Sequence, residues 1–221
     1  MCFSSTASFI SAATLIAAGT TGIFLTKNKA YQRLSTVPII FGLQQAAEGF
    51  LWKALKHPEF SQYIQPLTIA FLFIAWIVWP MYIPWVFRKI DSPKKNNLVF
   101  NILFAFGIMV SLFYTYTLIA FIPRAEIQEN HIAYHWNEYR NYVNLFNILY
   151  VISVLLPPFY TRNKSLWILG SVHIIMFIFS YVFLVHYLIS VWCFLSAVSS
   201  IIILFVVLEN NKSKSFKLPN I

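Results

Sequence analysis

The sequence predicts an all-α integral membrane protein: a bundle of seven transmembrane helices with the N-terminus outside and the C-terminus in the cytoplasm. Of 221 residues, 59% are AVILMFWYC and only 10% are DEKR, with a mean hydropathy of +0.67, too apolar for an ordinary water-soluble domain. The apolar residues fall into seven blocks close to the ~20 residues a helix needs to cross ~30 Å of hydrocarbon. Lys and Arg alternate between the connections, twelve on one side and four on the other, as expected when positive charge is retained in the cytoplasm.

The blocks run near 6–26, 37–54, 66–88, 97–122, 139–160, 166–185 and 187–208. Lys27, Lys29 and Arg33 follow the first; Arg88, Lys89, Lys94 and Lys95 the third; Arg162 and Lys164 the fifth; Lys212, Lys214 and Lys217 the last. Lys53, Lys56, Arg124 and Arg140 fall on the opposite side. An odd number of spans keeps this alternation and six or eight would break it. Only length, His186 and Tyr187 argue for a tight hairpin inside the almost uninterrupted 166–208, and one very long helix is the alternative. No Lys or Arg precedes residue 27 and no small-residue cleavage site follows the first block, so it is expected to stay as an anchor rather than leave as a signal peptide. Cys2 directly after Met1 lacks the apolar stretch that precedes a lipoprotein cysteine. Residues 1–208 are thus expected to form one seven-helix membrane domain and 209–221 a cytoplasmic basic tail. The location expected is the bacterial inner (plasma) membrane, with the bilayer itself as the first partner. The net charge of +9 is scattered between apolar blocks rather than gathered on a face, which argues against nucleic acid.

With each span given a direction, polar residues gather in the outer half. Ser4, Ser8 and Ser11 share one face at i, i+4, i+7 of the first span, and Gln44, Gln45 and Glu48 occupy the second. Glu48 is the single acidic residue inside any span, and a carboxyl at that depth costs at least ~2.5 kcal/mol on insertion scales. Gln44 and Glu48 are i, i+4 neighbours with Gln45 and Trp52 adjoining, so a polar stripe faces the bundle interior. A ligand-binding or catalytic Glu48 and one that merely joins helices are both open. His131 and His135 have the i, i+4 spacing that suits one metal on a helix, yet they sit in an outer loop without an adjacent third ligand. His131, His135 and Cys2 are therefore weak metal candidates, and no metal or other cofactor is assigned. His173, mid-span, is expected to be a neutral imidazole bonded to a neighbouring helix. Cys2 and Cys193 both fall toward the oxidising side, so a disulfide and two free thiols are alternatives.

Met1-Cys2-Phe3-Ser4 with Ala7-Ser8-Phe9, then Pro38, Phe41-Gly42, Gln44-Gln45, Glu48-Gly49 and Trp52, then His131-Ile132 with Tyr134, and finally Ser190-Val191-Trp192-Cys193-Phe194, together resemble a bacterial family of multi-pass membrane proteins of unknown function. The resemblance covers the whole chain; Leu195-Ser196 departs from the Phe-Ala expected there. It implies the fold and the choice of residues, not an activity.

Several functions are excluded by what is missing. A retinal protein needs a Lys in its seventh helix, and none occurs between Lys164 and Lys212. Ceramidase-like hydrolases need an intramembrane Asp with a His-x-x-x-His pair, and Asp91 is the sole Asp. There is no His-Glu-x-x-His, no Gly-x-Ser-x-Gly and no Pro-Gln pair. The leading expectation is an outward-facing polar pocket that binds a small ligand or ion in a receptor, transporter or accessory subunit. Its candidate lining is Glu48, Gln44, Gln45, Trp52, His131, Tyr134, Trp192 and Ser4, with a membrane-protein partner in the accessory case. The alternative is an intramembrane hydrolase or lipid-modifying enzyme using Glu48 with His131 or Cys2, with or without a metal.

Overall fold

The computed structural model describes residues 4–90, 97–136 and 140–215. Helix α1 (Ser5–Leu25) starts at Ser4, whose Oγ accepts a hydrogen bond from the Ala7 N–H at 3.2 Å. A three-residue turn leads into α2 (Lys29–Lys56), capped by Asn28, whose Oδ1 accepts from the Ala30 N–H at 3.0 Å. The two helices run antiparallel at close range because Gly42 has no Cβ: one built there would lie 2.9 Å from the Ala12 carbonyl oxygen. Farther along, Phe9 faces Gly49, which puts its neighbour Ser8 level with Glu48.

The next helical rod runs from Pro58 to Ile90 in pieces: a 3-10 turn (Pro58–Tyr63), α3 (Ile64–Phe73), a π-turn (Ile74–Val78) and α4 (Trp79–Ile90). Pro80 lacks an N–H group, so in the π-turn the Ala75 carbonyl five residues earlier has no backbone donor from it. Neighbouring helices bond carbonyls of this turn. The Tyr150 hydroxyl of α6 donates to the Ala75 carbonyl at 2.6 Å and Ser111 of α5 to the Ile77 carbonyl at 2.8 Å. Gly107 in α5 (Asn97–Ala120) lets that helix lie directly on the Pro80 carbonyl.

A β-hairpin follows, β1 (Arg124–Gln128) against β2 (His131–His135), in antiparallel register from Gln128 opposite His131 to Arg124 opposite His135. Glu129 opens its two-residue turn at φ 53°, a left-handed conformation that favours glycine. Strand β2 is laid on the bundle: Ile132 and Ala133 are fully buried, Tyr134 stacks on Phe71 with centroids 5.0 Å apart, and His131 stacks on Tyr187 at 4.5 Å.

Helix α6 (Arg140–Leu155) ends at Pro157-Pro158, which open a 3-10 turn. Helix α7 (Lys164–Phe183) begins at Asn163, which caps it and also donates from Nδ2 to the Tyr31 hydroxyl at 3.1 Å. A turn at Val185–Tyr187 leads to α8 (Leu188–Ser199) and α9 (Ile202–Ser215). Between these two helices Ser199 and Ser200 donate to the carbonyls of Ser196 and Ala197 at 2.9 and 2.6 Å, side-chain bonds that compete with the backbone ladder and bend a helix. Asn211 donates to the Leu25 carbonyl at 2.6 Å and Ser165 to Glu209 at 2.6 Å. These contacts gather the α1–α2 turn, the start of α7 and the end of α9 at one end of the bundle, and the hairpin covers the other.

Five stretches are long and apolar enough to cross a membrane: Ser5–Leu25, Pro58–Ile90, Leu98–Ala120, Lys164–Phe183 and Val185–Asn211. Such helices suggest a membrane protein. The turn at Val185–Tyr187 selects the hairpin over one long helix for 166–208. Two expected spans differ from their prediction. α2 is long but carries Lys29, Arg33, Glu48, Lys53 and Lys56, and the apolar part of α6, Asn144–Leu155, is short. The stretch expected as an outer loop is the β-hairpin, and α9 extends to Ser215, past the expected start of the tail at 209. Lys94, Lys95 and Lys217 of the charge count lie outside the described residues.

Candidate functional site

Helix α2 turns Gln44, Gln45, Glu48 and Trp52 to one side, at steps of three and four residues, and all four are buried, the first three without any exposed surface. Each faces a different neighbour. The Trp79 indole N–H of α4 donates to Gln44 Oε1 at 2.9 Å, held there by stacking on Phe41 with centroids 4.0 Å apart. The Ser190 hydroxyl of α8 donates to Glu48 Oε1 at 2.6 Å. Ser8 of α1 is fully buried at the same level. Side chains of α4 and α8 thus bond the α2 stripe, at Gln44 and Glu48 respectively.

The groups gathered there have more hydrogen-bonding capacity than the described residues fill. Glu48 Oε2, Gln45 Oε1, Gln44 Nε2, Trp52 Nε1 and Ser8 Oγ are buried with no partner among those residues, while the Gln45 amide lies against the Glu48 carboxyl. The ion pairs among them, His57–Glu59 at 3.5 Å and His135–Glu126 at 3.0 Å, are exposed and do not involve Glu48. Each unsatisfied buried group costs about 1–3 kcal/mol, and more when charged. The ammonium groups of Lys53 and Lys56 lie over the rings of Phe9 and Trp52 at 5.2 and 5.1 Å, toward the hairpin end.

The remaining expected residues disperse. Ser4 is the α1 cap, with its oxygen engaged by the Ala7 N–H. Trp192 is two residues from Ser190, a helical step of about 200°, and so faces away from Glu48, toward Tyr150 and Phe177 with centroids 5.7 and 4.8 Å away. Tyr134 and His131 belong to the hairpin that covers this end of the bundle. Burial lowers the His131 pKa from 6.5, an effect that nearby Glu129 partly opposes. His131 and His135 do not converge as they would on a helix: four strand residues span about 13 Å, and His135 is exposed against Glu126 and Gln128. Among the described residues no group of three or more His, Cys, Asp or Glu side chains is placed to hold a metal. Cys193 is a buried free thiol, and Cys2 lies outside the described residues. The α2 stripe is buried, and a cavity inside the bundle, with Trp79 among its walls, is lined largely by apolar residues.

A family model of unknown function matches residues 1–217. The chain belongs to the DUF6629 family. Nearly all of this DUF6629 chain, from the first motif residues through the end of α9, lies in the match, so the resemblance to a family without known activity holds over the stated length. No curated protein and no solved structure matches the DUF6629 chain. Sequence reasoning reached Glu48, its α2 neighbours and the serines of the first helix, but not Ser190 and Trp79 as their surroundings. Ser190 stands 142 residues away in sequence, and only its place in the Ser-x-Trp-Cys-Phe motif marked it.

Proposed function

We propose that this protein is a seven-span protein of the bacterial inner membrane, with its N-terminus outside, whose buried polar cluster around Glu48 binds a small polar ligand or ion. It acts as a receptor, transporter or accessory subunit. The lopsided Lys and Arg distribution supports the orientation, because the hairpin end is the poorer in positive charge. One observation carries the binding reading. A fully buried carboxyl has one oxygen without a partner among the described residues, and a glutamine oxygen, a second glutamine's amide nitrogen, an indole N–H and a hydroxyl of the same cluster are in the same condition. Polar side chains that only join helices in a membrane satisfy one another, whereas this set leaves donors and acceptors for something else. The enzyme reading has less support, since the Glu48 partner is a hydroxyl and His131 is stacked on Tyr187.

Native mass spectrometry with elemental analysis tests the proposal on the purified full-length protein, wild type beside Glu48→Gln. The expected result is a bound small molecule or ion in the wild type that is lost in the variant. A wild type that carries only nonspecific lipid under conditions that preserve other membrane-protein ligands would overturn it.

A further inference from the structure

The end of the bundle where α1 turns into α2 is rich in positive charge. Lys27, Lys29, Arg88, Lys89, Arg162 and Lys164 stand there with Arg33, and Glu209 is the one acid beside them among the described residues. Arg33 is placed in the seam between α2 and α4, half-buried, with its guanidinium carbon 5.4 Å from the centroid of the Trp85 ring. Its backbone is fixed as well. The Thr36 hydroxyl donates to the Arg33 carbonyl at 2.7 Å, and the Tyr82 hydroxyl of α4 bonds Thr36 and reaches the same carbonyl at 3.4 Å. Arg88 and Lys89 follow Trp85 by three and four residues, so both adjoin it on the α4 surface. Among the described residues no carboxylate pairs with Arg33, Arg88 or Lys89.

Retaining positive charge on one side of a membrane needs no more than exposed cations such as Lys27 and Lys29. An arginine held against a ring in a seam suits a phosphate. A guanidinium binds two phosphate oxygens at once, where an ammonium offers a point charge, and stacking on a ring leaves its in-plane N–H groups free. Depth points to a phosphate that carries acyl chains. Arg33 stands five residues past the Asn28 cap, about 7.5 Å along α2, at the level of headgroups rather than in bulk water. From there Thr36, Ile40 and Leu43 continue along one face of α2 at steps of three and four residues. Leu43 is 54% exposed, and Ile40, Tyr82 and Trp85 are half-buried. The strip from Arg33 to Leu43 is about 15 Å long, about half the thickness of a hydrocarbon layer and so the reach of one acyl chain.

We propose that this seam binds an anionic phospholipid of the surrounding bilayer. Its phosphate meets the Arg33 guanidinium, Arg88 and Lys89 add attraction, and one acyl chain lies along Ile40 and Leu43. The site rests on the membrane location proposed above, and neither on a ligand at Glu48 nor on the side that the basic end faces.

The test starts from full-length protein extracted with detergent from isolated membranes, so that its recovery there checks the location separately. The delipidated protein is titrated with dioleoyl phosphatidylglycerol and, in parallel, with dioleoyl phosphatidylcholine, and bound lipid is counted by native mass spectrometry. One phosphatidylglycerol held about tenfold more tightly than phosphatidylcholine is expected. Arg33→Gln should weaken it about tenfold, the effect of a lost hydrogen bond to a charged group. Arg33→Lys, which keeps the charge and loses the fork, should weaken it about threefold. Lys27→Gln removes the same charge from the exposed turn and should change it by less than about twofold. If Arg33→Gln does not fold, Arg88→Gln takes its place, with a loss of about threefold expected. Equal retention of the two lipids would overturn the proposal. So would an equal loss in Lys27→Gln and Arg33→Gln, the mark of diffuse charge, or displacement of the lipid by millimolar inorganic phosphate, which would assign the site to a free anion.

Discussion

Replacing Glu48 by Gln changes one atom of the best-defined polar group in the bundle, and the ligand dependence of the stability change separates a ligand site from a helix contact. The shape is kept, and the new carbonyl oxygen can still accept from the Ser190 hydroxyl, now 2.6 Å from Glu48 Oε1. The loss is the extra strength of a hydrogen bond to a charged group, about 1 kcal/mol, together with about 1–3 kcal/mol for the new amide NH2 at the position of the unpartnered Oε2. The gain is removal of a carboxyl whose burial in a membrane costs at least ~2.5 kcal/mol. These terms nearly cancel, so a cluster that holds no ligand should give the same small difference in Tm in every preparation. A ligand bound through Glu48 Oε2 at about 100 times its Kd adds about 2.7 kcal/mol to the wild type alone. With the ligand present the variant should therefore melt lower. The assay is a thermal melt of both proteins in nanodiscs formed directly from native membranes, repeated after exhaustive dialysis in detergent. The expected outcome is a variant below wild type in the first preparation, with the gap narrowing or reversing in the second. A variant that differs from wild type by the same amount in both would refute the binding reading.

Ser190→Ala takes away the one partner of Glu48 Oε1 among the described residues and should cost about 1–3 kcal/mol in a chemical or thermal melt. Gly107→Ala should also destabilise by about 1–3 kcal/mol despite the better helix propensity of Ala, because its Cβ would lie 1.9 Å from the Pro80 carbonyl oxygen. Gly49→Ala meets only the Phe9 ring, at 2.9 Å, and should cost less in the same melt. Glu129→Gly relieves a left-handed residue and should slow hydrogen exchange of the 124–135 amides by a factor corresponding to about 1 kcal/mol. For His131, burial lowers the folded pKa from 6.5, so below that value the unfolded chain binds the proton more readily. The stability contributed by the neutral ring is therefore present above pH 6.5 and is lost as pH falls through the unfolded value toward the folded one. Exchange of the hairpin amides, corrected for intrinsic rates, should accelerate between pH 7 and 5 in wild type and change less in His131→Phe.

The helices were legible because an apolar block of the right length has few alternatives in a chain this hydrophobic, and Asn or Pro residues punctuate it: Asn28 and Asn163 as caps, Pro157-Pro158 as a stop. The start of α2 was read late, at 37 rather than Lys29, because Lys29 and Arg33 look like a loop by hydropathy while a cap and helical propensity carry the backbone through them. The hairpin was missed for a related reason. Ala125, Ile127, Ile132 and Tyr134 do alternate with polar residues, but the turn lacks glycine, and the i, i+4 histidines drew attention to a helical spacing that a strand does not have. At the site, Glu48 stood out through the energetic cost of an acid within a span. Its surroundings were not legible, because Trp79 and Ser190 come from α4 and α8. Tertiary packing alone decides that Ser190 faces Glu48 while Trp192, in the same motif, faces the other way.

Polar side chains elsewhere in the bundle show what structural use looks like. Tyr150 and Ser111 donate to carbonyls of the π-turn, Ser199 and Ser200 bend α8 into α9, and Ser4, Asn28 and Asn163 close helix starts, each with a defined partner. The α2 stripe at Glu48 holds the largest group of buried polar atoms without partners among the described residues. A fold that supplies a partner for a broken helix carbonyl has the means to pair a glutamine amide or an indole as well. Leaving Glu48 Oε2 and Gln45 Oε1 without partners costs free energy that a Leu or Met of similar size would not. The small polar ligand proposed at Glu48 would complete these hydrogen bonds and offset that cost.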